Sequence, residues 1–248
     1  MNAKKTCLSI LFLFFVPNAW NRTTDAAKPI PALHTYIPFE ANAQVGLASR
    51  YFSEGRDALD GTALWTGSSE IGYGPFSIGF WYGISDDRQY DERQYSFVWS
   101  EEREDFDVYV SFTLIDFGKT GTSDEEWLGG FLYRDLPFGA ETELTLYYSN
   151  FSKGTFLEWS ASKEFEINEK IQILPSSVLG WNQGYVSDGS KGFNFIAIRL
   201  DYQYFISQYI SVVGFGNQSW AMEKSPKLPD DLLLKDFFFY GFGIEWKL

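Results

Sequence analysis

The groups in this chain that could do chemistry are carboxylates and guanidinium or ammonium groups set at every second residue. Arg50, Glu70, Glu143, Glu158, Arg199, Asp201, Glu245 and Lys247 each fall on the polar face of a run whose other face is apolar. Strand side chains alternate with period two, so such groups share one side of a sheet. If that sheet closes, they either line an aqueous path and set its solute preference, or pair across a filled interior and stiffen it. Aromatics of the Trp65, Tyr109 and Tyr147 kind would narrow such a path, or give a sugar or nucleoside a stacking surface.

Groups for covalent catalysis are scarce. His34 is the only His and sits outside any periodic run, while Cys7 is the only Cys. A Ser–His nucleophile pair needs a His within hydrogen-bond reach of the Ser, so phospholipase- and acyltransferase-type barrels are not expected. Composition alone leaves a carboxylate-pair hydrolase open. Asp86-Asp87 and Asp230-Asp231 lack EF-hand spacing and read as solvated loop charge. The expectation is therefore no enzyme, no catalytic residue, no metal site and no cofactor.

The 20 Lys plus Arg against 33 Asp plus Glu give a formal charge of −13, which argues against nucleic acid as a partner. Aromatics form 19% of the chain and there are 22 Gly, a composition suited to strands joined by tight turns. Twelve alternating runs follow from Gln44 onward, at about 43–53, 63–73, 75–85, 91–101, 106–116, 126–135, 140–150, 154–165, 170–182, 192–204, 208–219 and 235–248. Their length is near the roughly 9–11 residues needed for a tilted membrane strand. Runs two, six, nine and eleven are less regular, so ten strands is the alternative count. Pro175 inside the ninth run marks a bulge or a break in register.

The breaks between runs alternate in length. GYGP, REDF, DLPFG, EINEK and FISQ are short; SEGRDALDGT, SDDRQYD, GKTGTSDEE, QGYVSDGSK and MEKSPKLPDDLLL are longer and more charged, and only FSKG is short where a long one is due. Short periplasmic turns and longer external loops are the habit of outer-membrane barrels. In the last run, Phe238, Tyr240, Phe242, Ile244, Trp246 and Leu248 share one apolar face, opposite Gly241, Gly243, Glu245 and Lys247. An ending of this kind resembles the closing barrel strand that the barrel-assembly machinery recognises, although the usual final Phe is Leu248 here. On facing alone, Gly243→Ala should be milder than Phe242→Asp or Trp246→Asp.

The start reads as an export signal: Lys4 and Lys5 precede the apolar stretch Leu8 to Val16, which is too short for a helix of about 20 residues to cross a bilayer. The expected organisation is a signal and cleavage region at 1–26, a periplasmic lead-in at 27–42 and a barrel at 43–248.

Three segments carry a family resemblance: Ser49-Arg50-Tyr51-Phe52-Ser53-Glu54-Gly55-Arg56, then Gly79-Phe80-Trp81-Tyr82-Gly83, then Tyr90-Asp91-Glu92-Arg93-Gln94-Tyr95. Over about 45–115 the chain is similar to the opening of the TorF-type porin family, with Gly55-Arg56 standing where that family has Arg-Gly. The resemblance implies a porin-like outer-membrane protein without a defined substrate. Together these readings predict an all-β, transmembrane, antiparallel up-and-down barrel in a bacterial outer membrane. It would contact lipid and lipopolysaccharide as a monomer or weak oligomer. The expected function is passive diffusion of small hydrophilic solutes or ions, the alternative a non-transport surface protein for adhesion, cation binding or envelope stability.

Overall fold

Strands of alternating polarity can satisfy their backbone groups in a membrane only by closing on themselves, and these do. The computed structural model describes residues 39–248. The expected signal region and most of the lead-in, with Cys7 and His34, lie outside the described residues. In chain order the strands are β1 (Phe39–Ala48), β2 (Phe52–Ser53), β3 (Arg56–Asp57), β4 (Leu64–Tyr73), β5 (Phe76–Ser85), β6 (Asp91–Glu102), β7 (Phe106–Phe117), β8 (Thr122–Leu136), β9 (Ala140–Ser149), β10 (Gly154–Ser162), β11 (Phe165–Asn168), β12 (Ile171–Gln183), β13 (Gly192–Phe205), β14 (Ile210–Ala221) and β15 (Phe237–Lys247).

Twelve of these form the barrel wall. Neighbours in sequence pair antiparallel from β4 to β10, β10 pairs with β12, β12 to β15 continue the ladder, and β15 closes it on β1. The closure runs from Asn42↔Lys247 to Ala48↔Gly241, and Ala41 and Leu248 exchange backbone hydrogen bonds (3.2 and 2.8 Å). Residues 39 and 248 therefore lie at one end, here the near end, which also carries the turns at 74–75, 103–105, 137–139 and 206–209. The far end carries the loops at 49–63, 86–90, 118–121, 150–153, 184–191 and 222–236.

Three boundaries depart from the sequence expectation. The first barrel strand starts at Phe39 and stops at Ala48, because residues 49–57 turn inward to build the separate β2–β3 hairpin. β8 starts at Thr122, so Asp124, expected in a loop, and Glu126, expected at the start of the sixth run, are both buried on its inner face. Pro175 sits within continuous β12 and the ladder to β13 shifts later, between Gly180 and Trp181. Pro175 O accepts from Lys163 N, so its missing N–H faces the side where β10 pairing ends at Ser176 and β11 pairing begins at Ile173. No ladder donor is called for there.

The outer face is a belt of apolar side chains: Ile78, Phe97, Val110, Leu144, Leu146, Ile198, Leu200 and Phe242 are all exposed. So continuous an apolar exterior around a closed sheet is the surface of a membrane barrel. Trp65, considered above for the interior, belongs to this outer face; it is exposed and its Nε1 donates to Asp86 Oδ1 (3.3 Å). The buried aromatics cluster at the far end, where Phe52, Phe156, Tyr185, Phe195, Phe237 and Phe239 pack together.

Candidate functional site

Period-two alternation brings one polar face of every wall strand to the barrel axis. On the β9–β10 hairpin, Glu158 pairs with Thr145 and Ser160 with Glu143, which sets two carboxylates diagonally adjacent on the inner wall. A cavity of about 240 Å³ opens in front of them, with Glu70, Arg199, Asp201 and Glu245 also in its lining. A second, of about 430 Å³, shares Asn42, Glu70 and Tyr109 with the first, and extends past Ser96 and Thr113 to Glu126. The second cavity reaches the near end at Gly74 and Pro75.

Charges in this lumen are tied locally. Arg199 donates three hydrogen bonds to Asp201 (2.7–2.9 Å) and lies 3.9 Å from the centre of the Phe215 ring. Lys247 pairs with Glu245 at 3.3 Å, and Glu245 also accepts from Gln203 (2.8 Å) and Ser211 (3.1 Å). Tyr109 donates to Glu143, and Asn42 to Glu70 (3.3 Å). Glu158 is buried and its Oε1 has no hydrogen-bond partner. Of the eight charged residues read from the sequence, Arg50 and Lys247 line neither cavity: Lys247 ends β15, and Arg50 lies beyond β1 in the 49–63 loop, pairs with Asp57 and rests over the Phe237 ring at 5.7 Å.

The far end is packed with chain. Glu54 and Gly55 both have positive φ (43° and 81°), so Ser53 and Arg56 pair across a two-residue turn of the I′ kind. A Cβ on Gly55 would come within 2.6 Å of the Phe195 side chain, so the turn packs directly on β13 and admits no side chain. Phe52 stacks on Phe239 (5.3 Å, 13°) and meets Phe195 edge-on (5.2 Å).

The hairpin is locked by Arg56, which is fully buried. It donates to Glu54 O (2.8 Å), Asp230 O (3.1 Å) and Asp231 Oδ1 (3.0 Å). Asn194, with its amide turned oxygen-first, accepts from Arg56 at 2.8 and 3.2 Å and donates to Ser190 O. Asp231 also accepts from Ser190 N (3.1 Å) and Ser225 N (2.7 Å), so one carboxylate joins three far-end loops. Asp230 and Asp231, read from the sequence as solvated loop charge, are thus buried structural groups; the short turn Pro229–Leu232 carries them inward. Asp86 and Asp87 are exposed.

Burial pushes the Glu54 carboxyl up to about 8, with Ser53 and Arg56 opposing and the charges of Glu158 and Glu92 adding to the rise. Burial likewise lowers Arg56, against the pull of Glu54, Asp231 and Asp230. For Asp231 burial is outweighed by its hydrogen bonds from Ser190 and Ser225 and by the Arg56 charge, which hold it below the usual carboxylate range.

Sequence reasoning passed over the inward carboxylates Glu54, Glu92 and Glu126. Glu92 was within reach of alternation, two residues before Gln94 on the same face; it accepts from Tyr51 (3.0 Å), Tyr90 and Gln94. Glu54 was not, since its position depends on loops more than a hundred residues away. No protein-family model matches the chain, and no curated protein matches it. Solved structures do. The KdgM porin aligns with a TM-score of 0.54 at 7% identity, over 84% of this chain and 98% of that one. The NanC porin aligns with a TM-score of 0.54 at 11% identity, over 84% of this chain and 100% of that one. This protein is a closed twelve-stranded transmembrane barrel with the outer-membrane porin fold.

Proposed function

We propose that the chain is an outer-membrane channel for small hydrophilic solutes or ions, with its near end in the periplasm and the β2–β3 hairpin narrowing its outer mouth. The observation that carries this reading is the polar lumen below the hairpin: its inner wall presents Ser, Thr, Asn, Gln and carboxylate groups around open space, where a purely structural barrel would be filled by packed side chains. The resemblance to TorF-type porins and the porin fold support it. Lipid and lipopolysaccharide would face the apolar belt, the barrel-assembly machinery would engage β15, and the protein would act as a monomer or weak oligomer.

The packed far end favours a second reading, a closed surface barrel that carries no solute. Single-channel recording of the purified protein in a planar bilayer separates the two. The channel reading expects stepwise currents that change with Arg199→Ala or Asp201→Ala, because breaking that chelate alters the lumen charge. A folded barrel silent at both low and high salt would favour the surface reading.

A further inference from the structure

The charge of the lumen is one-sided once its internal pairs are set aside. Arg199 is the one cationic side chain among the described residues lining the two cavities, and it is matched by Asp201. Glu70, Glu143 and Glu158 line the same space and make no ion pair among the described residues. Glu143 and Glu158 are diagonal neighbours on one hairpin, and Glu158 keeps an unpartnered Oε1 although it is only 7% exposed. A buried carboxylate oxygen without a donor is costly, and a second carboxylate beside it adds repulsion. Glu70 stands on β4, six strands round the ring from β10 and so on the opposite wall. The Tyr109 and Tyr147 rings flank the pair, and an aromatic face attracts an organic cation. No group of His, Cys, Asp or Glu among the described residues is arranged to hold a metal ion.

We propose that Glu143 and Glu158, with Glu70 across the lumen, form a binding site for small organic cations bearing ammonium or guanidinium groups. This rests on the channel reading above and names its substrate class. A cation at the β9–β10 wall sets a positive charge beside the Glu158 carboxyl, which has no ion-pair partner among the described residues, and relieves its repulsion with Glu143. A second positive group on the same molecule is drawn toward Glu70, so short diamines fit better than monoamines. An anion meets three carboxylates without an available counter-charge.

The test uses the full barrel in detergent and three probes of similar length: 1,4-diaminobutane, 1,4-butanediol and succinate, each followed by calorimetric titration. Diaminobutane should bind at millimolar concentration or below, while the diol and succinate should not. Glu143→Gln with Glu158→Gln should weaken diaminobutane by about tenfold or more, and Glu70→Gln alone should weaken it less. Glu70 forms only a long hydrogen bond, so that variant still reports if the buried pair disturbs folding. Equal binding of diol and diamine, no diamine binding, or affinity unchanged in both variants would overturn the proposal. Bilayer recording under a KCl gradient separates this from failure of the channel reading. Diamine binding without conductance removes the channel and keeps the site; conductance with anion preference keeps the channel and removes the site.

Discussion

Arg56 gathers acceptors from its own turn, from β13 and from the 222–236 loop, and every one of them is buried with it. Removing one partner of a buried ion pair strands the others, a loss of about 3–5 kcal/mol. Arg56→Ala should therefore release the hairpin, seen as protease cleavage between residues 49 and 63 that the wild type resists. Arg56→Lys should rescue little, since a point charge cannot meet four acceptors spread around a planar fork. Glu54 gives the hairpin a pH dependence of definite sign. Its folded carboxyl titrates near 8 rather than at the usual 4.5, so the docked hairpin holds a proton that the released one gives up. The Glu54 contribution to docking is then fullest below about 4.5 and is lost as pH rises through about 8. Protease resistance of the loop measured against pH should fall across that window, and Glu54→Gln should flatten the profile. Little of this was legible. Ser53-Glu54-Gly55-Arg56 does carry a turn signature, but nothing local tells a solvated hairpin from one packed on Phe195.

Elements were easier to read than residues. The inner and outer faces of β15 are those that alternation assigned, with Phe237 and Phe239 buried and Phe238, Tyr240 and Phe242 exposed. A carboxylate on the outer face meets hydrocarbon at a cost below the roughly 2–4 kcal/mol of a basic residue at the midplane, and the cost fades toward the interface. Phe242, 56% exposed and mid-strand, should suffer more from Asp than Trp246, 38% exposed near the end of β15; refolding yield in detergent would rank them. Gly243 departs from the expectation that facing alone gave. A Cβ there would come within 2.5 Å of Val45 O on β1, and backbone cannot step aside as a flexible side chain can. Gly243→Ala should then open the β1–β15 closure and rival Phe242→Asp in lost yield. Alternation tells which way a side chain points, whereas closeness to the next strand is a property of the assembled ring. Strand ends fared likewise: Asp124 resembles loop charge in sequence, yet it and Glu126 lie within β8, where Ser149 Oγ at the end of β9 donates to Asp124 (2.6 Å) and Tyr185 of the 184–191 loop donates to Glu126.

For the molecule as a whole, alternation marked the twelve wall strands, and the long-short rhythm of the breaks sorted short turns to one end and, FSKG apart, longer loops to the other, since turns need only reverse the chain. It could not reveal that loops at the other end fold back into the barrel. That inward packing divides the interior into a packed far half and an open polar near half. The most direct test replaces residues 52–57 with a short Gly-Ser linker and compares single-channel conductance with the wild type at neutral pH. Removing the hairpin also removes Phe52 from the aromatic cluster and Arg56 from Asp231, so the 222–236 loop loses its inner anchor. The expected result is a folded barrel whose conductance rises severalfold and whose currents still respond to Arg199→Ala. A folded variant that conducts no better than the wild type would contradict it.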